Sequence, residues 1–127
     1  MPQITQVGRV IVPVADQDAA IAFYTEKLGF TLTADTPYGN GERWVEVAPP
    51  GGGTALALTP GRGEFTPGRM TGVALGSPDV GAVHAELQRA GVDVDGELMG
   101  GDGTVPPMFF LRDGDGNQLL IVADPQA

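Results

Sequence analysis

Val14–Phe30 reads VADQDAAIAFYTEKLGF, and a second stretch, Leu75–Val92, reads LGSPDVGAVHAELQRAGV. In the first, Asp16 is placed to accept from the opening N–H groups of a helix. Ala20, Phe23, Tyr24 and Leu28 then recur at helical spacing, which predicts a helix over 17–28. Gly29 stops it, as a left-handed C-terminal glycine does. In the second stretch, Ser77-Pro78-Asp79 offers an N-cap with proline in the first turn, Val80, Val83 and Leu87 mark the apolar stripe, and Gly91 ends it. Superimposing the two sets Asp16 opposite Asp79 and Gly29 opposite Gly91. One unit has been written twice.

The segments around each helix repeat as well. Val7–Val14 (VGRVIVPV) alternates like a strand, with Pro13 marking an edge or a strand end. After the first helix come a strand at 30–35 (FTLTAD) and a turn at 37–42 (PYGNGE) carrying Asn40-Gly41. Two more strands, RWVEVA and TALALT, flank the loop PPGGG. The run PGRGEFTPGRMT (60–71) is rich in Gly and Pro and breaks the pattern. Then GVALGS supplies a strand, VDVDGEL leads away from the second helix, and a glycine-rich loop, Met99–Pro107, precedes the strands MFFLRD and NQLLIV. Neither half buries both faces of its sheet alone. The expected fold is α+β: two paired β-α-β-β-β modules forming a cupped mixed sheet in one domain. Module one spans about 5–60, the linker about 61–71 and module two about 72–124.

Between the last two strands lies Asp113-Gly114-Asp115-Gly116-Asn117. A calcium loop of the EF-hand type needs glycine at its sixth position, where this chain has Gln118, and it needs flanking helices. The stretch is read as a tight hairpin turn with Gly and Asn at positive φ.

Composition narrows the function classes. The chain has 127 residues, no cysteine, one histidine and a net charge of −9 with seven Lys plus Arg. Disulfides, thiolate metal sites and a cysteine nucleophile are excluded. Nucleic acid is not an expected partner, because phosphate binding needs clustered cations. The acidic balance favours a cationic small molecule or serves solubility. No apolar run reaches membrane-span length and no basic, apolar leader opens the chain, so a cytoplasmic protein without a membrane partner is expected. His84 alone cannot supply an imidazole-rich metal site or a Ser-His-Asp centre with Ser77, which reads as a capping residue.

The run D-x-x-x-A-x-x-F-Y-x-x-x-L-G-F at 16–30, with RDGDGNQL at 112–119, resembles the vicinal oxygen chelate superfamily, which contains glyoxalases, bleomycin-resistance proteins and dioxygenases. Gly114 stands where proline is usual in its D-P-D-G-N turn. The resemblance implies a cavity between paired modules and, in metal-dependent members, one ligand on each of four strands. Carried over, those positions are Arg9 and Gly72, seven residues before Asp16 and Asp79, then Ala57, and Leu120, three after Asn117. None offers an oxygen or nitrogen donor to a divalent cation, and Arg9 would repel one. No metal and no cofactor are expected; a shifted metal set using Glu46 and His84 is the exception considered.

Strand alternation sends Arg9, Ile11, Trp44, Glu46, Ala57, Met108, Phe110, Arg112 and Leu120 to the cavity side, an apolar and aromatic lining with a few charges. Arg9 and Glu46 should meet each other or a ligand, either as an ion pair closing the core or with Arg9 on a carboxylate or phosphate and Glu46 on an amine. Trp44 could stack an aromatic ring, hold a cation or fill the core. The resemblance to the drug-resistance branch implies a metal-free homodimer that sequesters an apolar, aromatic or cationic small molecule. The alternatives are a glyoxalase- or dioxygenase-like lyase, isomerase or oxygenase with a non-standard or absent metal, and an interaction module whose cavity is filled by its own side chains. No catalytic residue is identified, although Glu46 as general base and Arg9 as oxyanion stabiliser would suit a metal-free reaction.

Overall fold

The chain is seen in a computed structural model that describes residues 2–124. It divides into two compact units, Met1–Thr66 and Pro67–Ala127. In the first unit β1 (Arg9–Val14) leads to α1 (Gln17–Ala22), whose N-terminus is capped by Asp16 accepting from the Ala19 N–H at 3.1 Å. The helix does not run on as a regular α-helix to 28. It widens at Phe23–Lys27 into a π-helical turn, where the Thr25 hydroxyl donates to the Ile21 carbonyl at 2.7 Å and competes with the backbone ladder. Gly29, at φ +74°, lets the Phe30 N–H reach back to the Tyr24 carbonyl. The detour seats Tyr24, fully buried, between the rings of Phe23 and Phe30 at 5.3 and 5.9 Å.

Three strands follow: β2 (Thr31–Gly39), β3 (Glu42–Ala48) and β4 (Ala55–Pro60). The sheet order is β1-β4-β3-β2, with β1 and β4 parallel and the other pairs antiparallel. β2 extends four residues past the expected end at Asp35, because only Asn40 and Gly41, at φ +54° and +75°, are needed to turn the chain. Pro37 is tolerated in it because β2 is an edge strand. Val12, Val14, Val45, Val47, Leu56 and Leu58 make the buried face with Tyr24. Gln17 fixes the helix to that sheet by donating to the Arg43 and Leu58 carbonyls, both at 2.9 Å.

The second unit repeats the plan with β5 (Met70–Ser77), α2 (Val80–Arg89), β6 (Asp93–Val94), β7 (Met108–Arg112) and β8 (Gln118–Ala123). Its order is β5-β8-β7-β6, again with one parallel pair. Asp79 caps α2 through the Ala82 N–H at 3.0 Å, while Ser77 Oγ accepts from the Asp79 N–H. At the other end the Val92 N–H bonds the Leu87 carbonyl and the Gly91 N–H bonds that of Gln88, the paired closure that a left-handed glycine permits. Val80, Leu87, Val92, Phe109, Leu111, Leu119 and Ile121 form the core. Together these are two four-stranded mixed sheets with few helices, an α+β fold.

The Asp113–Asn117 turn is a closed hydrogen-bond knot. Asp113 Oδ1 accepts from the Asp115 and Asn117 N–H groups at 2.9 Å, and Asp113 Oδ2 from Asn117 Nδ2 at 2.9 Å. Asn117, completely buried, accepts from the Gly68 N–H through Oδ1 at 2.8 Å, tying the turn to the chain just before β5. The carboxylate facing the turn is thus occupied by donors of its own loop, as a hairpin requires.

Candidate functional site

Each strand of the first sheet sends alternate side chains to the face opposite the core. Register places Ile11 beside Ala57, Ala57 beside Glu46, Arg9 beside Ala55, and Trp44 beside Thr36. The expected members of this face, Arg9, Ile11, Trp44, Glu46 and Ala57, therefore share one surface. Ile11 is about half exposed, at 47%, whereas Ala57 is fully covered.

Glu46 organises the charge. Its Oε2 accepts from Arg9 Nε at 2.8 Å and from Trp44 Nε1 at 2.5 Å. Arg9 and Glu46 do meet each other, and the indole N–H joins them. The Trp44 N–H, then the Arg9 guanidinium, hold the Glu46 carboxyl below the ordinary glutamate range against the opposing effect of burial. A carboxylate so stabilised is a weak base at neutral pH, which disfavours Glu46 as a general base.

Since the folded-state pKa is depressed, the interaction contributes stability above the unfolded glutamate pKa and is lost as pH falls through the folded one. The emission of Trp44, the sole tryptophan, should therefore change in an acid titration with a midpoint below the ordinary glutamate range, while far-ultraviolet dichroism stays native. The Glu46→Gln variant should lack that transition. A wild-type midpoint at or above the ordinary range would contradict the geometry.

A second cluster on the same face was not expected from the sequence. Glu42 Oε2 accepts from the Tyr38 hydroxyl at 2.6 Å and from Arg62 Nη2 at 2.7 Å. The Tyr38 hydroxyl and then Arg62 lower the Glu42 carboxyl, and Glu42 raises the Tyr38 phenol. The legible signal was parity: Glu42 lies two residues before Trp44 on β3, so Glu42, Trp44 and Glu46 emerge on one side. Arg62 came from a stretch read only as linker. The other arginine of this unit, Arg43, forks to Asp35 and reaches Asp18, on the helix side.

In the second sheet Met108, Phe110 and Arg112 lie beside Val122, Leu120 and Gln118 on the face opposite the core, with Ala74 beside Leu120. Arg112 is a clamp: its Nη1 and Nη2 each reach Asp95 Oδ1 at 3.2 Å and its Nε reaches Asp93 Oδ2 at 3.1 Å. Its guanidinium is occupied in holding β6 to β7. His84 sits on the core side, with Nε2 2.7 Å from the Asp95 carbonyl oxygen and its ring edge-on to Phe109 at 4.8 Å. The Met99–Pro107 loop is pinned at its base by Met99 and Met108 pairing in both directions, and Asp102 accepts from the Thr104 N–H and hydroxyl. Beside it, Gly101, Thr104, Val105, Pro107, Ala123 and Asp124 border an open groove of about 610 Å³. No candidate residue reaches that groove, and its single carboxylate among prolines and glycines gives little for a ligand to recognise.

The donor set does not fit a metal of the kind the resemblance implies. Arg9, at one of the four positions, is a cation already bonded to the neighbouring carboxylate; Ala57 and Leu120 carry no donor; Gly72 has no side chain. Among the described residues no three His, Cys, Asp or Glu side chains converge as a metal centre would need.

Comparison with known proteins gives the class. Residues 6–121 match the sequence model of the Glyoxalase/Bleomycin resistance protein/Dioxygenase superfamily. The chain belongs to this superfamily. Among solved structures it is similar to TnmS3, an antibiotic binding protein from Streptomyces sp. CB03234, at 37% identity and a TM-score of 0.85 over 98% of this chain and 100% of that one. A glyoxalase/bleomycin resistance protein from the same organism is 38% identical, with a TM-score of 0.77 over 91% of this chain and 97% of the other. Of curated sequences, the uncharacterized Bacillus subtilis (strain 168) protein YetH is 49% identical over 57 residues, 45% of this chain and 48% of YetH. The match therefore spans about half the length of that relative. Among the described residues no helix is long and apolar enough to cross a membrane.

Proposed function

We propose that this chain is a small-molecule-binding protein of the antibiotic-binding branch, which sequesters an apolar or aromatic compound without a metal, in the cytoplasm and as a homodimer. Binding uses Arg9, Ile11, Trp44, Glu46 and Ala57 of the first sheet; on the second sheet the candidates are Met108, Phe110 and Leu120, Arg112 being held by Asp93 and Asp95. The observation that carries the reading is the Arg9–Glu46–Trp44 cluster: where a metal-dependent relative would need a donor, this chain has a guanidinium, and next to it an aromatic ring with its polar edge tied down. The similarity to an antibiotic-binding protein over nearly the whole chain supports it. Sequestration of a toxic compound would itself confer resistance, with no reaction needed.

The test is a thermal-shift screen of aromatic and apolar compounds on the full chain, with Trp44 fluorescence, metal analysis and light scattering. At least one compound should raise the melting temperature and change Trp44 emission saturably. A ligand present at a hundredfold its Kd should add about 2.7 kcal/mol of stability. Stoichiometric Ni, Zn, Fe or Mn in the purified protein would refute the metal-free reading. A panel with no saturable binder would refute sequestration, and a monomer by light scattering would refute the homodimer.

A further inference from the structure

The chain is strongly acidic, yet the face around Trp44 turns its cations outward and its carboxylates inward. Arg9 and Arg62 are 55% and 64% exposed in their side chains, against 12% and 34% for their partners Glu46 and Glu42. Each carboxylate takes two donors on a single oxygen, one from an arginine and one from an aromatic side chain. The two pairs bracket Trp44 along β3. Both negative charges are neutralised within the protein before any ligand arrives.

The donors left over are of one kind. Arg9 uses only Nε on Glu46, so the N–H groups of Nη1 and Nη2 have no protein partner among the described residues. A guanidinium carries five N–H donors and accepts nothing. Trp44 has a single N–H, already given to Glu46, so its ring offers only apolar and π surface. Ala57, small and in register with both Ile11 and Glu46, adds no polar group to that face.

From this arrangement we infer that the first-sheet site selects flat aromatic ligands bearing an oxygen acceptor, a carboxylate, phenolate or conjugated carbonyl, and discriminates against cationic amines. The acceptor lies on the Nη edge of Arg9 and the ring against Trp44. Glu46 is a positioning residue that orients both. The inference rests on the binding function proposed above and reverses the polarity that net charge alone suggests. The arginine geometry suits oxygen acceptors because its fork matches a carboxylate or a carbonyl in its own plane. An ammonium would meet the exposed guanidinium first and find the nearby carboxylates already paired.

The experiment is calorimetric titration of the full chain at pH 7 with 2-naphthoate, 2-acetonaphthone and 2-naphthylmethylammonium, which share one ring system. The naphthoate should bind at least tenfold more tightly than the ammonium, with the ketone between them. Arg9→Met, checked for a native dichroism spectrum, should bring naphthoate and ammonium within about threefold of each other; Arg62→Met reports whether the second arginine shares the effect. Ammonium binding as tight as naphthoate overturns the selectivity and leaves the binding function standing. An Arg9→Met variant with an unchanged ratio overturns the role of Arg9. Silence of all three probes overturns this inference, and only silence of the wider compound screen as well removes the binding function.

Discussion

Replacing Phe109 by alanine should cost about 3–5 kcal/mol of folding stability, while the same change at Phe110 should cost less than half of that. The two residues are neighbours in β7 and chemically identical, so the contrast isolates the face each occupies. Phe109 is completely buried, against the His84 ring and among Leu111, Leu119 and Ile121. Its truncation leaves a cavity that a sheet held by α2 cannot close. Phe110 points to the other face, where it is partly exposed beside Leu120 and leaves no enclosed void when shortened. Urea denaturation of the two variants measures the difference. Equal losses would mean that the face assignment, and with it half of the candidate ligand surface, is inverted.

Asn117→Ala should destabilise the protein by about 2–4 kcal/mol, with a melting-temperature loss on the order of 10 °C. The change removes almost no apolar area, so its cost is the cost of unmet hydrogen bonds. The Gly68 N–H loses its acceptor and the buried Asp113 carboxylate loses a donor, in a network whose members were all occupied. Asn117→Asp is a sharper probe, since it sets a second carboxylate against Asp113 in a buried turn, and its loss should be at least as large as that of Asn117→Ala by urea denaturation. A smaller loss than the alanine variant's would show that the turn relaxes and lets water in. Calcium should leave the melting temperature of the wild-type chain unchanged, because the Asp113 oxygens facing the turn already accept from its own N–H groups.

Much of this was legible in the sequence, and for a physical reason. Alternation has a strict period, so once Val45 and Val47 are assigned to the core, Trp44 and Glu46 must emerge on the other side. The Arg9–Glu46 pair was one of the two outcomes expected for those charges, the other being a ligand for each, and the structure shows the pair. What escaped was decided by contacts that period does not encode. The π-helical turn goes with a bond from the Thr25 hydroxyl to the Ile21 carbonyl and with the seating of Tyr24 against Phe30. The length of β2 depends on how few residues Asn40-Gly41 requires to reverse the chain. Arg62 joins the site from a Gly/Pro-rich segment whose composition says only that it is irregular. Arg112, placed by parity among binding residues, is held by Asp93 on a strand only two residues long and by Asp95 just beyond it, which no periodicity could announce.

Gly72 has a bearing on how such a protein can change. It occupies one of the four positions at which a metal-dependent relative would carry a ligand, and its backbone sits at φ +77° within an irregular stretch of β5. Space is not the obstacle, since a Cβ there would meet nothing within 4 Å. The obstacle is the left-handed conformation, which costs an L-residue roughly 1–2 kcal/mol. A histidine or glutamate written into position 72 would either strain the strand or reshape it, and so would aim its side chain away from the direction a ligand needs. A ligand at position 72 thus needs more than a changed codon: the path of β5 has to be redrawn before the side chain matters.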